Sequence, residues 1–85
     1  MSEPLIPHSE HANEIVGANI QRARLNRGIT LEALSEETGL SVELLKSYED
    51  GTEAIIVSDV YRIAVGMKAP LTAFWKGEEV TVDAD

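Results

Sequence analysis

Two helix starts and two closing glycines inside one short stretch constrain this chain more than any other feature. In Gly28–Gly51, GITLEALSEETGLSVELLKSYEDG, two apolar-periodic segments each begin at a hydroxyl residue, Thr30 and Ser41, of the kind that caps a helix N-terminus. Gly39 follows Thr38 where a helix C-terminus turns left-handed, and Leu40 supplies the apolar plug of the turn. The spacing predicts short helices over Leu31–Thr38 and Val42–Asp50, joined tightly at Gly39. At about 100° per residue, Leu44, Leu45 and Tyr48 fall on one side of the second helix. Val42, Glu43, Lys46, Ser47 and Asp50 fall on the other. The first set is expected to bury and the second to be presented.

The pattern is a helix-turn-helix signature, and the flanking sequence supplies the helices that would support it. A first helix is expected over residues 12–27, with Val16, Ile20 and Ala23 on one face, Ile15 widening the stripe and Gly28 as the stop. Arg22 and Arg27 are read as pointing to water. Arg24, next in sequence to the buried Ala23, needs a partner if it is covered. After Gly51 a loop leads to Ile55-Ile56-Val57. Ser58 and Asp59 then read as the N-terminal turn of a helix over residues 57–66, whose apolar positions Val57, Val60, Ala64 and Met67 step at helical intervals. Pro70 suits the first turn of a last short helix over residues 71–76. That helix carries Phe74 and Trp75, two adjacent aromatics that cannot both face one small core. One ring is expected to pack inward and the other against a second subunit, so the pair marks a candidate dimer interface.

At 85 residues the chain can bury one modest core. It has no cysteine, which removes disulfides and thiolate metal sites. No apolar run approaches a membrane span, and the N-terminus lacks the basic-then-apolar order of a secretory signal, so no membrane partner and a cytoplasmic location are expected. Residues 1–11, with Pro4 and Pro7, read as a mobile arm. His8 and His11 within it lack a third ligand and are assigned no metal. Residues 77–85 read as an acidic tail, which leaves 12–76 as the domain. A constellation for acid–base or nucleophilic chemistry is missing, as is a Gly-rich phosphate loop, so neither enzymatic activity nor a cofactor is expected.

Net charge bears on the partner. The formal value of −8 argues at first against nucleic acid, because phosphate neutralisation supplies most non-specific affinity. Much of it sits at the ends, where Glu3, Glu10, Glu78, Glu79, Asp83 and Asp85 face no Lys or Arg. Yet residues 28–51 also hold Glu32, Glu36, Glu37, Glu43, Glu49 and Asp50 against Lys46 alone, while Arg22, Arg24 and Arg27 cluster just before.

From about Val16 to Trp75 the chain resembles the Cro/CI-type, Xre-like helix-turn-helix family without needing a gap. The resemblance is carried by Arg24 after an apolar position, Gly28-Ile29-Thr30, Leu34, Gly39-Leu40-Ser41, Leu45, Glu49 and Gly51, then Ile63-Ala64 and Met67. It implies an all-α, five-helix repressor-like domain with flexible acidic ends. It also implies that Glu49 pairs with Arg24. Independently, the helical projection sets Glu49 beside the buried face, where an unpaired carboxylate is costly.

The same resemblance implies a sequence-specific DNA-binding regulator, a homodimer with one recognition helix per half-site of double-stranded DNA. Lys46 would meet guanine or phosphate, Ser47 a base or phosphate, Val42 a thymine methyl and Glu43 a cytosine amine. Thr30, Ser41 and Thr52, at helix ends, complete the candidate DNA-contacting set. Against that stand departures from the family pattern: Leu31 replaces a Gln that commonly bonds phosphate, and Thr52-Glu53 replace a Lys or Arg. A second reading therefore stays open, in which the scaffold binds another regulatory protein through its acidic surface.

Overall fold

The computed structural model describes residues 10–75. Four α-helices follow one another, α1 Glu10–Asn26, α2 Leu31–Thr38, α3 Val42–Asp50 and α4 Val57–Met67, and the 3-10 helix Leu71–Trp75 comes last. Residues 1–9 of the expected arm, residue 76 at the end of the expected last helix and the whole expected tail at 77–85 lie outside the described residues, as does the side chain of His11.

The starts and stops of α2 and α3 are set by local chemistry. Thr30 is extended, and its Oγ1 accepts the Ala33 N–H at 3.0 Å; Ser41 Oγ accepts the Leu44 N–H at 3.0 Å. Each bond satisfies an amide that the first helical turn would otherwise orphan, worth about 1 kcal/mol. Gly39 takes φ +82° and donates its N–H to Ser35 O at 2.8 Å, a left-handed stop that a side chain would strain.

Three expectations at element ends are corrected. Helix α1 begins at Glu10, two residues before residue 12. Helix α4 runs past Gly66 and ends at Met67, with Lys68 in the left-handed region at φ 56°. Gly66 is a packing position instead of a stop, since a Cβ there would lie 3.1 Å from Thr38 Cγ2 and 3.4 Å from Glu37 Cβ of α2. The fifth α-helix is a 3-10 helix. Ala73 N–H bonds Pro70 O at 3.0 Å, and five residues are too few to develop an α-helical ladder.

The core lies where all five elements converge. Val16 and Ile20 of α1, Leu34 of α2 and Leu45 and Tyr48 of α3 are buried together. Ile55 ahead of α4, and Val60, Ile63 and Met67 on it, close the other side. Burial of each large apolar side chain contributes about 1.5–3 kcal/mol.

Phe74 completes this core at 0% exposure, which overturns its assignment to a dimer interface. The 3-10 turn delivers it against α1, where Asn19 Nδ2 donates to Phe74 O at 2.9 Å. The Trp75 side chain lies outside the described residues. Arg27, read from sequence as solvent-facing, is exposed but caps α4: its Nε donates to Met67 O at 3.1 Å. Arg22 Nη1 donates to Asn19 Oδ1 on its own helix.

Candidate nucleic-acid interface

Helix α3 is held against the rest of the molecule by three contacts from its C-terminal half. The first is a bidentate ion pair. Arg24 Nε donates to Glu49 Oε2 at 2.7 Å and Nη2 to Oε1 at 3.0 Å, while Nη1 reaches Ile29 O at 2.9 Å. The Glu49 side chain is fully buried and that of Arg24 nearly so, so each charge relies on the other, and the guanidinium also on the Ile29 carbonyl. The hydrogen bond with Glu49 raises the Arg24 guanidinium further above its ordinary value, against the opposing effect of burial. One side chain thus joins α1, the loop before α2, and α3.

The second contact is backbone to backbone. Gly17 of α1 sits over the C-terminal turn of α3 so closely that a Cβ would fall 2.0 Å from Tyr48 O and 3.0 Å from Glu49 O. The third is Tyr48 Oη, which donates to Asp59 Oδ2 at 2.6 Å and ties α3 to the first turn of α4. Helix α4 has no side-chain N-cap bond, because Ile56 occupies that position and Asp59 is turned to the tyrosine.

Burial first, then the hydrogen bond to Asp59, raises the Tyr48 phenol far above the ordinary tyrosine value of 10.0. The folded state therefore favours the neutral ring. Its stabilising contribution is complete below pH of about 10 and is lost as pH rises from there toward the raised folded value, because the unfolded tyrosine ionises first. Chemical denaturation at stepped pH should show stability declining above that pH. Tyr48→Phe should flatten part of the decline and cost about 1–2 kcal/mol at neutral pH. An unchanged alkaline limb in the phenylalanine variant would remove Tyr48 as its source.

With its inner face fixed, α3 presents Glu43, Lys46 and Asp50 to solvent, with Val42 and Ser47 half-buried at the margin. Lys46 does not stand free: Nζ lies 2.8 Å from Asp50 Oδ1 and 3.0 Å from Oδ2, one helical turn on. Both side chains are about half exposed, and such pairs contribute only about 0.3–0.5 kcal/mol. A phosphate or base could take the ammonium from Asp50 at small cost. The remaining carboxylate would then face the same anion.

The hydroxyl residues divide by what their protons do. Thr30 and Ser41 accept backbone amides, so their hydroxyl hydrogens are available to donate to an anion. Thr52 Oγ1 donates to Ser47 O at 3.3 Å, alongside the Thr52 N–H to the same oxygen at 3.0 Å, so its proton closes the end of α3. Of the candidate contact residues, Val42, Glu43, Lys46 and Ser47 share one helix side, with Ser41 at its start. Thr30 stands at the start of α2, and Thr52 is folded back. Sequence reasoning overlooked Asp50 as the Lys46 partner, although the four-residue spacing is a signal for it. Nothing local in the sequence marks the long-range Tyr48–Asp59 bond.

The face is acidic. Glu32, Glu36 and Glu37 of α2 and Glu43 of α3 are all exposed. Among the described residues no cluster of His, Asp and Glu has metal-binding geometry, and no helix is long and apolar enough to cross a membrane.

No family model matches the sequence, and no curated protein matches it at a significant level. Solved structures do match the fold. An HTH_3 family transcriptional regulator from Vibrio cholerae superimposes with a TM-score of 0.76 at 25% identity, over 81% of this chain and 39% of that one. The clp gene regulator ClgR from C. glutamicum gives 0.72 at 24% identity, over 85% of this chain and 86% of its own. The DNA-binding domain of BldD gives 0.71 at 22% identity, over 79% of this chain and 97% of its own. The chain thus spans less than half of the first of these regulators and nearly all of the BldD domain.

Proposed function

For a chain with the Cro/CI-type, Xre-like helix-turn-helix fold, we propose the function of a sequence-specific DNA-binding transcriptional regulator that acts as a homodimer on a two-fold site. The observation that carries this reading is the α3 surface. The helix is fixed from behind by Arg24–Glu49, Gly17 and Tyr48, and it leaves Ser41 at its cap and Glu43 and Lys46 along its outer side exposed, with Ser47 at the margin, in a fold shared with transcriptional regulators. A recognition helix must be rigid on one side and readable on the other.

Lys46 and Ser47 carry the readout in this proposal, and Ser41 and Thr30 offer hydroxyl donors to phosphate. Asp50 acts against them. Lys46→Ala should weaken binding to the cognate duplex by about 1–2 kcal/mol, roughly tenfold, without changing the thermal midpoint. Asp50→Asn should tighten it by about threefold to tenfold, because it frees Lys46 and removes a charge that repels phosphate. Fluorescence anisotropy on one duplex checks both; equal affinities for wild type and both variants would remove this face from the interface.

A second reading is favoured by one observation: the sole cation of α3 is already paired, and the exposed charged residues of α2 are all glutamates. In that reading the scaffold binds a basic surface of another regulator. Charge reversal at Glu36, Glu37 and Glu43 should then abolish capture of that partner, and a complex insensitive to those reversals counts against it.

A further inference from the structure

Charge along this chain is sorted as well as unbalanced. Residues 15–31 and 60–77 contain no Asp or Glu, in a chain that holds 15 of them, yet they carry six of its seven Lys and Arg. These stretches supply most of α1 and α4 and the whole 3-10 helix, which packs on both. Arg27 joins them directly, donating from Nε to Met67 O at 3.1 Å, and Lys68 is the next residue. Arg22 joins them through Asn19, which accepts from its Nη1 and donates to Phe74 O at 2.9 Å. The result is a cationic edge. Arg22, Arg27 and Lys68 are exposed on it, and none makes an ion pair among the described residues. Leu25, 60% exposed, stands three residues on from Arg22 and on the same side of α1.

We infer that this edge is the docking surface of the chain's own acidic segment, Glu78-Glu79-Val80-Thr81-Val82-Asp83-Ala84-Asp85, which lies outside the described residues. The signs match, since the segment carries four carboxylates and no cation, and the stretches that form the edge carry no carboxylate. The point of departure matches too. Phe74 and Trp75 end a 3-10 helix packed on α1 and α4, so the chain leaves the described part beside the edge itself. Glu78 follows within about 10 Å of extended chain, and Asp85 can reach about 35 Å. Val80 and Val82 offer apolar side chains to Leu25. A tether this short gives the segment an effective concentration of about a millimolar, so exposed ion pairs too weak to capture a separate acidic protein suffice here. Docked there, the segment cancels the pull of this edge on phosphate, and DNA is not drawn to it in competition with the α3 face. The docking itself does not rest on the DNA reading, and its test uses no DNA.

The chain has no cysteine, so Ala84→Cys gives the whole protein a single attachment point for a nitroxide spin label. At about 50 mM salt the label should broaden the amide signals of Arg22, Leu25, Arg27 and Lys68 and leave those of Glu32, Glu36 and Glu37 on α2 sharp. Raising salt to about 500 mM should remove most of the broadening, because exposed charges are then screened. The labelled chain with Glu78→Gln, Glu79→Gln and Asp83→Asn should lose it at low salt. Arg22→Gln with Lys68→Asn should lose it from the other side; asparagine suits position 68 because the backbone there is left-handed, at φ 56°. Three results would overturn the inference: edge signals no broader than those of α2, broadening indifferent to both sets of substitutions, or equal broadening when the spin label and the isotope sit on different copies of the chain.

Discussion

Arg24→Ala is expected to cost about 3–5 kcal/mol, which for a domain of this size is a large part of the total stability. The loss exceeds that of an ordinary hydrogen bond because the substitution leaves the Glu49 carboxylate fully buried with no counterion. Three guanidinium bonds vanish together, including the one to Ile29 O that positions the loop before α2. The double variant Arg24→Met with Glu49→Leu should recover most of the loss, since replacing both partners avoids the uncompensated charge. Urea denaturation followed by circular dichroism measures each. A loss below about 1 kcal/mol in Arg24→Ala would mean that the pair behaves as a surface ion pair, and would contradict its place between α1 and α3.

Gly17→Ala provides the second large effect, and here the sign is informative. By helix propensity alone, alanine inside α1 should stabilise by about 1 kcal/mol. The structure predicts the opposite, a loss of about 2–4 kcal/mol, because the new methyl would lie 2.0 Å from Tyr48 O and 3.0 Å from Glu49 O. Both obstacles are backbone atoms and cannot rotate aside. Relief requires α1 and α3 to separate, which strains the Arg24–Glu49 bonds and the Tyr48–Asp59 bond together. The combination Gly17→Ala with Arg24→Met/Glu49→Leu should therefore be non-additive. A thermal midpoint that rises in Gly17→Ala would refute the close crossing of the two helices.

What was legible in the chain follows from how local each signal is. Thr30, Ser41, Gly39 and Gly51 act on amides and carbonyls within a turn of themselves, so the bounds of α2 and α3 can be read directly. The Arg24–Glu49 pair spans 25 positions, and it could be anticipated only because both residues border buried faces and match a family pattern. Glycine marked the wrong place in α4, since Gly66 serves close packing on α2 while Lys68 accepts the left-handed turn. Phe74 and Trp75 are adjacent, and periodicity over a single turn could not say which ring faces inward. Arg27 and Tyr48 find their partners 40 and 11 residues away, through tertiary placement that no local rule encodes. On the candidate interface, helical projection separated the presented residues from the buried ones. It treated Lys46 and Asp50 as independent charges, although their spacing is that of a helix pair.

That pair bears on function because it sets how easily the one cation of α3 can reach an anion. Its small energy makes Lys46 releasable, and the glutamates around it make non-specific attraction to phosphate weak. Whatever DNA affinity the molecule has must then come from specific contacts in a well-fitted site rather than from a basic field.

Selection of genomic DNA fragments by the purified chain, at about 50 mM salt and again at about 150 mM, tests the central claim most directly. A DNA-binding regulator of this form enriches a single motif with two-fold symmetry at both salts, and Lys46→Ala loses that enrichment while remaining folded. A folded wild-type protein that enriches no motif at either salt would contradict the claim, and would make the acidic protein-binding surface the leading account of the fold.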